Sequence, residues 1–325
     1  MNRPRLFALT MLAILIAPGT WVRSSPKADN DSPLVSFTPL PVDTIDTGEA
    51  VLTHAWHLRS ANSLASGYSA LIMRDNHSFL AGSDRGALTM FRRPEAGRHT
   101  QAAQFTIFPN RQGAQKFAAD LEALTHDAET GRIWAAFERV NTIERVDATF
   151  RNHKISKPAA MKSWTRNSGP ESMVRLDDGR FLVISEGAVP DRDGVFPVVL
   201  FAGDPTGNAP STTHRFAPPS GHRPVDAAQL PDGRIAILTR ELHIALPIRF
   251  SSAIVVADPS ELTGGSVWRG KVIASITDPA ITDNYEGLAI QRSNDGVIDL
   301  WLISDDNNSV FQRNLLLKLQ WQPGG

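Results

Sequence analysis

Pro170-Glu171-Ser172-Met173-Val174-Arg175-Leu176-Asp177-Asp178-Gly179-Arg180-Phe181-Leu182-Val183-Ile184-Ser185-Glu186 is the stretch that decides the fold. Two short runs rich in apolar and β-branched residues flank an Asp-Gly turn, the pattern of an antiparallel hairpin. Asp-Gly predicts a two-residue type I′ turn, because Asp and Gly tolerate positive φ. An acid stands near each free end, Glu171 before the first strand and Glu186 after the second. In a hairpin these ends are neighbours, so the two carboxylates are expected side by side.

The same unit recurs along the chain. Downstream, Val225-Asp226-Ala227-Ala228 leads through Asp232-Gly233-Arg234 to Ile235–Leu238 and ends at Thr239-Arg240. Tyr285-Glu286-Gly287-Leu288-Ala289 leads to Trp301-Leu302-Ile303 and ends at Ser304-Asp305. Upstream, Leu121-Glu122-Ala123-Leu124 leads to Gly131-Arg132-Ile133-Trp134 and ends at Phe137-Glu138, and Tyr68-Ser69-Ala70-Leu71 leads to Phe79–Asp84. The repeats are spaced by roughly 50–65 residues, the scale of a four-stranded propeller blade with loops. The fold expected is all-β, a single β-propeller domain over residues 36–325. Residues 34–58 together with Asn314–Trp321 are expected to complete a further blade. That makes six blades, or seven if an insertion conceals one. A β-sandwich is the alternative, but it does not explain why polar residues recur at both ends of each hairpin. Residues 112–119 read as a short helical excursion.

If these hairpins are the inner strands of blades, their ends converge on one mouth of the central channel. Nine acids then meet there: Asp84, Glu122, Glu138, Glu171, Glu186, Asp226, Glu286, Asp305 and Asp306. Arg85, Arg139 and Arg240 are interleaved with them. Crowded carboxylates raise one another's pKa and oppose folding unless something compensates. Ion pairs with the arginines between blades are one compensation, and a divalent cation is another. The donors on offer, with Asn141, Asn167, Asn284 and Asn307, are all oxygen, which suits Ca²⁺ better than Zn²⁺. Glu122, Glu171, Asp226, Glu286 and Asp306 are the candidate metal ligands. Glu138, Glu186 and Asp305 are the candidate catalytic acids and bases, and Asp84, Arg85, Arg139 and Arg240 the candidate substrate-binding groups.

Composition and missing motifs narrow the chemistry. The 325 residues carry a net charge of -1 and no cysteine. Nothing marks a nucleic-acid partner, and disulfides, thiolate metal sites and cysteine nucleophiles are excluded. There is no Gly-x-Ser-x-Gly elbow, Walker loop, dinucleotide fingerprint or His-Glu-x-x-His frame. His54 and His57 read as structural. Trp56, Trp134, Trp164, Trp268 and Trp301 read as blade packing. At the N-terminus, Arg3 and Arg5 precede an uncharged apolar run, Leu6–Ala17, and Pro18-Gly19 breaks it. Residues 1–24 are therefore expected to be a signal peptide and 25–35 a flexible leader, with an uncleaved membrane anchor as the alternative. The expected location is periplasmic or secreted.

Several segments carry a resemblance. Asn284-Tyr285-Glu286-Gly287-Leu288-Ala289, Ser304-Asp305-Asp306-Asn307 and Gln312-Arg313-Asn314-Leu315-Leu316 are the most specific. Gly82-Ser83-Asp84-Arg85-Gly86, Asp120-Leu121-Glu122, Phe137-Glu138-Arg139, Asn167–Glu171 and Pro224-Val225-Asp226 fit the same pattern. Together they resemble the bacterial phytase-like proteins named for an esterase-like activity of phytase, over about residues 50–321. The resemblance implies a propeller that hydrolyses phosphoesters or esters. Ser69 and Arg240 depart from it, since each stands where the other repeats place an acid. The reading that combines these signals is a calcium-dependent phosphoesterase acting on a small phosphorylated substrate. A propeller that only binds a ligand or partner, and a calcium-dependent lactonase or esterase, are the alternatives.

Overall fold

The computed structural model describes residues 29–43, 45–111, 119–187, 194–244, 248–292, 296–307, 309 and 311–323. The expected signal peptide and most of the expected helical excursion lie outside these residues. Among them, no helix is long and apolar enough to cross a membrane.

The chain opens with strands β1 (Leu34–Leu40) and β2 (Val51–Ser60). Blade 1 follows as β3 (Tyr68–Asp75), β4 (Ser78–Ser83), β5 (Ala87–Arg92) and β6 (His99–Ile107). Blade 2 is β7 (Leu121–His126), β8 (Ile133–Phe137), β9 (Thr142–Val146) and β10 (Lys154–Ser156). Blade 3 is β11 (Pro170–Arg175), β12 (Phe181–Ser185), β13 (Phe196–Phe201) and β14 (Ser211–Phe216). Blade 4 is β15 (Arg223–Gln229), β16 (Ile235–His243) and β17 (Arg249–Ala257). After the two-residue β18 (Val267–Trp268), which pairs with β14, blade 4 is completed by β19 (Lys271–Ile276). Blade 5 is β20 (Asn284–Arg292), β21 (Ile298–Asp305), β22 (Leu315–Trp321) and the N-terminal β2.

The innermost strands β3, β7, β11, β15 and β20 each contact the next, and β20 returns to β3, so the ring is closed. Five four-stranded blades account for the described strands other than β1 and β18, against the six blades expected. Of the strands expected to form a sixth blade, β22 and β2 are the outer half of the fifth. β2 pairs antiparallel with β22, Leu52 opposite Leu319 and Trp56 opposite Leu316, while β1 joins β2 to the outer edge of blade 1. Pairing the N-terminal strand into the last blade turns an open stack into a closed ring and covers the exposed edges.

Both faces of each blade are buried, so alternation along a strand sorts its side chains between two interfaces. In β8, Trp134 and Ala136 pack toward blade 3, while Ile133, Ala135 and Phe137 pack toward blade 1. Five apolar clusters result, one for each junction between neighbouring blades. Trp56, Trp134, Trp268 and Trp301 are buried in them, and Trp56 stacks on Trp301 at the junction that closes the ring.

The Asp-Gly turns differ from expectation. Gly179 and Gly233 have positive φ, but Asp178 and Asp232 do not. The Gly179 amide donates to the Leu176 carbonyl, and Leu176 pairs with Arg180. This is the three-residue loop with a left-handed glycine, in which each aspartate accepts the amide two residues on.

Gly287 marks a close approach of the inner strands β20 and β3. A Cβ there would lie 2.6 Å from Ile303 Cγ2 and 2.8 Å from the Leu71 backbone nitrogen. Gly287→Ala must push β20 off β3, and overpacking of this kind costs about 1–3 kcal/mol. Urea denaturation should show a lower midpoint with an unchanged slope.

Candidate functional site

Every inner strand carries a β-bulge near its start. Ser69, Glu122, Glu171 and Glu286 are the residues left out of register in β3, β7, β11 and β20. A bulge bends its strand and re-aims a side chain. In blades 2, 3 and 5 this sends an acid into the channel mouth, where the second strand of the hairpin delivers another. The result is a cavity of about 280 Å³. Its walls include Asp84, Glu122, Glu138, Glu171, Glu186, Glu286 and Asp305, with Arg139 and Arg240, as the repeat leads one to expect. Asn167, Asn307 and Asp120 complete it.

Arg85, Asp226 and Asp306 do not line the cavity. In β15 the bulge falls at Val225, so Pro224 faces Thr239 and Asp226 faces Leu238. The sequence alignment is therefore one residue out in blade 4, and a one-residue slip moves a side chain to a different wall. Asp226 is buried beneath the rim and accepts the backbone amides of Ala227 (2.8 Å), Leu288 (2.7 Å) and Leu71. It ties the inner strands of blades 4, 5 and 1 together. Asp306 accepts from the Gly67 amide and from Asn314 Nδ2, joining blade 5 to blade 1. Arg85 is exposed.

Asp120 is the site residue that the repeat did not single out. One carboxylate oxygen from each of Asp120, Glu122 and Glu138 lies within 4.8 Å of the other two. Its signal was its place two residues before Glu122, where Asn284 stands before Glu286. Arg139 Nε donates to Asp120. Glu138 accepts the Gly169 amide at 3.4 Å. Glu122 and Glu171 have neither a hydrogen-bond nor an ion-pair partner among the described residues, although Glu171 is only 8% exposed. On the opposite side, Arg240 donates to Glu286, to Asn284 Oδ1 and to Glu186 Oε2, and Arg223 also reaches Glu186.

Burial dominates the electrostatics. It pushes Glu122 and Glu171 well above the ordinary carboxylate range, and neighbouring acids add to it: Glu171 and Glu286 for the first, Glu186 and Glu138 for the second. Asp305 is raised by burial and then by Glu286 and Asp84. Glu286 is raised by burial, with Arg240 and Asn284 opposing. Glu138 is raised to about 7 by burial, partly offset by the Gly169 amide. For Arg240 burial disfavours the cation, but Glu286, Glu186 and Glu171 outweigh it and raise its pKa.

A closed five-bladed propeller with a carboxylate-lined mouth is thus the class that fold and site define. A family model described as Phytase-like, esterase-like activity of phytase, matches residues 64–308, and the chain belongs to that family. No curated protein matches it. Among solved structures, the WD40 β-propeller domain of Doa1 is 12% identical over 85% of this chain and 97% of that one (TM-score 0.36). The nidogen/laminin complex is 9% identical over 89% and 93% (TM-score 0.43). The chain spans 57% of a Kuenenia stuttgartiensis hydrazine synthase chain, with 74% of its own length covered, 11% identity and a TM-score of 0.36. Likenesses this distant carry no weight for function.

The raised acids have a consequence for stability. Glu138 holds its proton in the folded state up to about pH 7, whereas its ordinary value is 4.5. Between these values the folded protein binds more protons than the unfolded chain, so stability falls as pH rises. Thermal melts in chelator should show Tm decreasing from pH 4.5 to 7, and Glu138→Gln should flatten that decrease.

Proposed function

We propose that the acidic mouth is a calcium-dependent hydrolytic site for small phosphoesters, in a protein that is periplasmic or secreted. The observation that carries this reading is the Asp120, Glu122 and Glu138 oxygen triad, with the unpartnered Glu122 and Glu171 carboxylates beside it. The donor set fits a hard cation: it is entirely oxygen, anionic and drawn from the adjoining rims of blades 2 and 3. Asp120 and Glu122 would hold Ca²⁺, with Glu171 adjacent and Glu138 beside the ion as the proton-transfer group. When bound, the ion supplies positive charge against phosphate oxygens and polarises phosphorus.

The chain's own groups then divide the work. Glu138, raised to about 7 by burial while no ion is bound and lowered again by a neighbouring cation, is the group suited to moving a proton to or from water. Glu186 is a poorer base, because Arg240 and Arg223 occupy its lone pairs. Asp305 is buried and protonation-prone, which suits it to donate a proton to a leaving group. Arg139 is the better candidate for a substrate phosphate: its side chain is 30% exposed, against 20% for Arg240, which is ion-paired with both Glu186 and Glu286. The Arg240 pairs with Glu186 and Glu286 favour a second reading, a propeller that binds a ligand without catalysis.

The test is an assay of metal-stripped protein against phosphomonoesters, carboxyl esters and lactones, with calcium or with chelator. Calcium-dependent phosphomonoester turnover is expected, and Glu138→Gln should lower kcat by about 10²–10⁴-fold. Turnover confined to esters or lactones would move the assignment to the lactonase or esterase alternative. Calcium binding without any turnover would leave the binding reading.

A further inference from the structure

Arg240 stands at the position where the other four blades place an acid. Asp84, Glu138, Glu186 and Asp305 follow Ser83, Phe137, Ser185 and Ser304, and Arg240 follows Thr239, which faces Pro224 across the hairpin. Oxygens from blades 3 and 5 converge on its guanidinium: Glu286 and Asn284 Oδ1 on one terminal nitrogen, Glu186 Oε2 on the other at 3.2 Å. Two carboxylates and an amide carbonyl around one positive charge are also the donors a hard divalent cation takes.

We propose that Arg240 is a built-in cation filling a second cation position of the mouth, so that the native protein takes up one divalent ion, on the Asp120–Glu122–Glu138 side. This rests on the reading of the mouth as a calcium site. The physical basis is that guanidinium charge is permanent and its planar fork engages separate carboxylates at once. It is delivered by the fold, so no ion has to be captured to hold blades 3 and 5 against blade 4. The two halves of the mouth therefore differ in kind. One is neutralised by Arg240 through direct ion pairs; the other sets Asp120, Glu122, Glu138 and Glu171 against Arg139, which pairs with Asp120, and there Glu122 and Glu171 have no hydrogen-bonded or ion-paired partner among the described residues, although Arg240 attracts Glu171 from across the mouth. Removing the guanidinium leaves Glu186, Asn284 and Glu286 facing an unfilled position between them.

Isothermal titration of the full, chelator-stripped chain with calcium tests this. One ion is expected for the native protein and for Arg240→Lys, two for Arg240→Ala, and one for the double variant Arg240→Ala with Glu122→Gln. Two ions in the native protein, or one ion in the native protein and still only one in Arg240→Ala, would overturn the inference. No ion in the native protein but one in Arg240→Ala would remove the calcium reading of the triad while upholding the second position. No ion in either would remove both. Should Arg240→Ala lose its far-UV circular dichroism in chelator, calcium must restore it, and failure to do so would also overturn the inference.

Discussion

Five inner strands must converge on one axis, and each is bent by a bulge at the same step. That shared bend is the constraint on which the mouth depends. It brings Glu122, Glu171 and Glu286, which are far apart in sequence, into one small cavity. A carboxylate on an ordinary propeller edge would keep its water. Here the ring withholds it, and burial rather than pairwise repulsion becomes the largest influence on the pKa of each.

The rest of the molecule sustains that crowding. Two-sided burial gives every blade an apolar junction on each side, and the five junctions supply the stabilisation against which the charges work. Polar cross-links lie just beneath the rim. Asp226 collects backbone amides from three blades, Asp306 ties Gly67 to Asn314, and Ser69 donates to the Leu121 carbonyl. The two aspartates carry the same chemistry as the rim acids, but their hydrogen bonds are spent on the frame. The division between frame and mouth is a matter of one residue of register, as Asp226 shows.

The mouth is lopsided as well as acidic. Arg240 and Arg223 satisfy Glu186, and Arg240 satisfies Glu286, so blades 3 to 5 resemble an inter-blade clamp. Blade 2 gathers Asp120, Glu122 and Glu138 within a few ångströms, close to Glu171 of blade 3. A propeller scaffold alone implies no activity. What distinguishes this one is that asymmetry, laid over a fivefold repeat.

The repeat was legible from period-two alternation, Asp-Gly turns and recurrent polar ends, because these are local properties of hairpins. They placed the β-propeller and most of the rim acids correctly. Blade number was not legible, because it depends on which partner β2 finds, and β22 lies more than 250 residues away. The bulge at Val225 was not legible either, since Pro224-Val225-Asp226 reads the same in either register. Local residue chemistry determined what each hairpin could offer. Closure of the ring decided which side chains would share a cavity, because burial and neighbourhood arise only when distant strands are brought together.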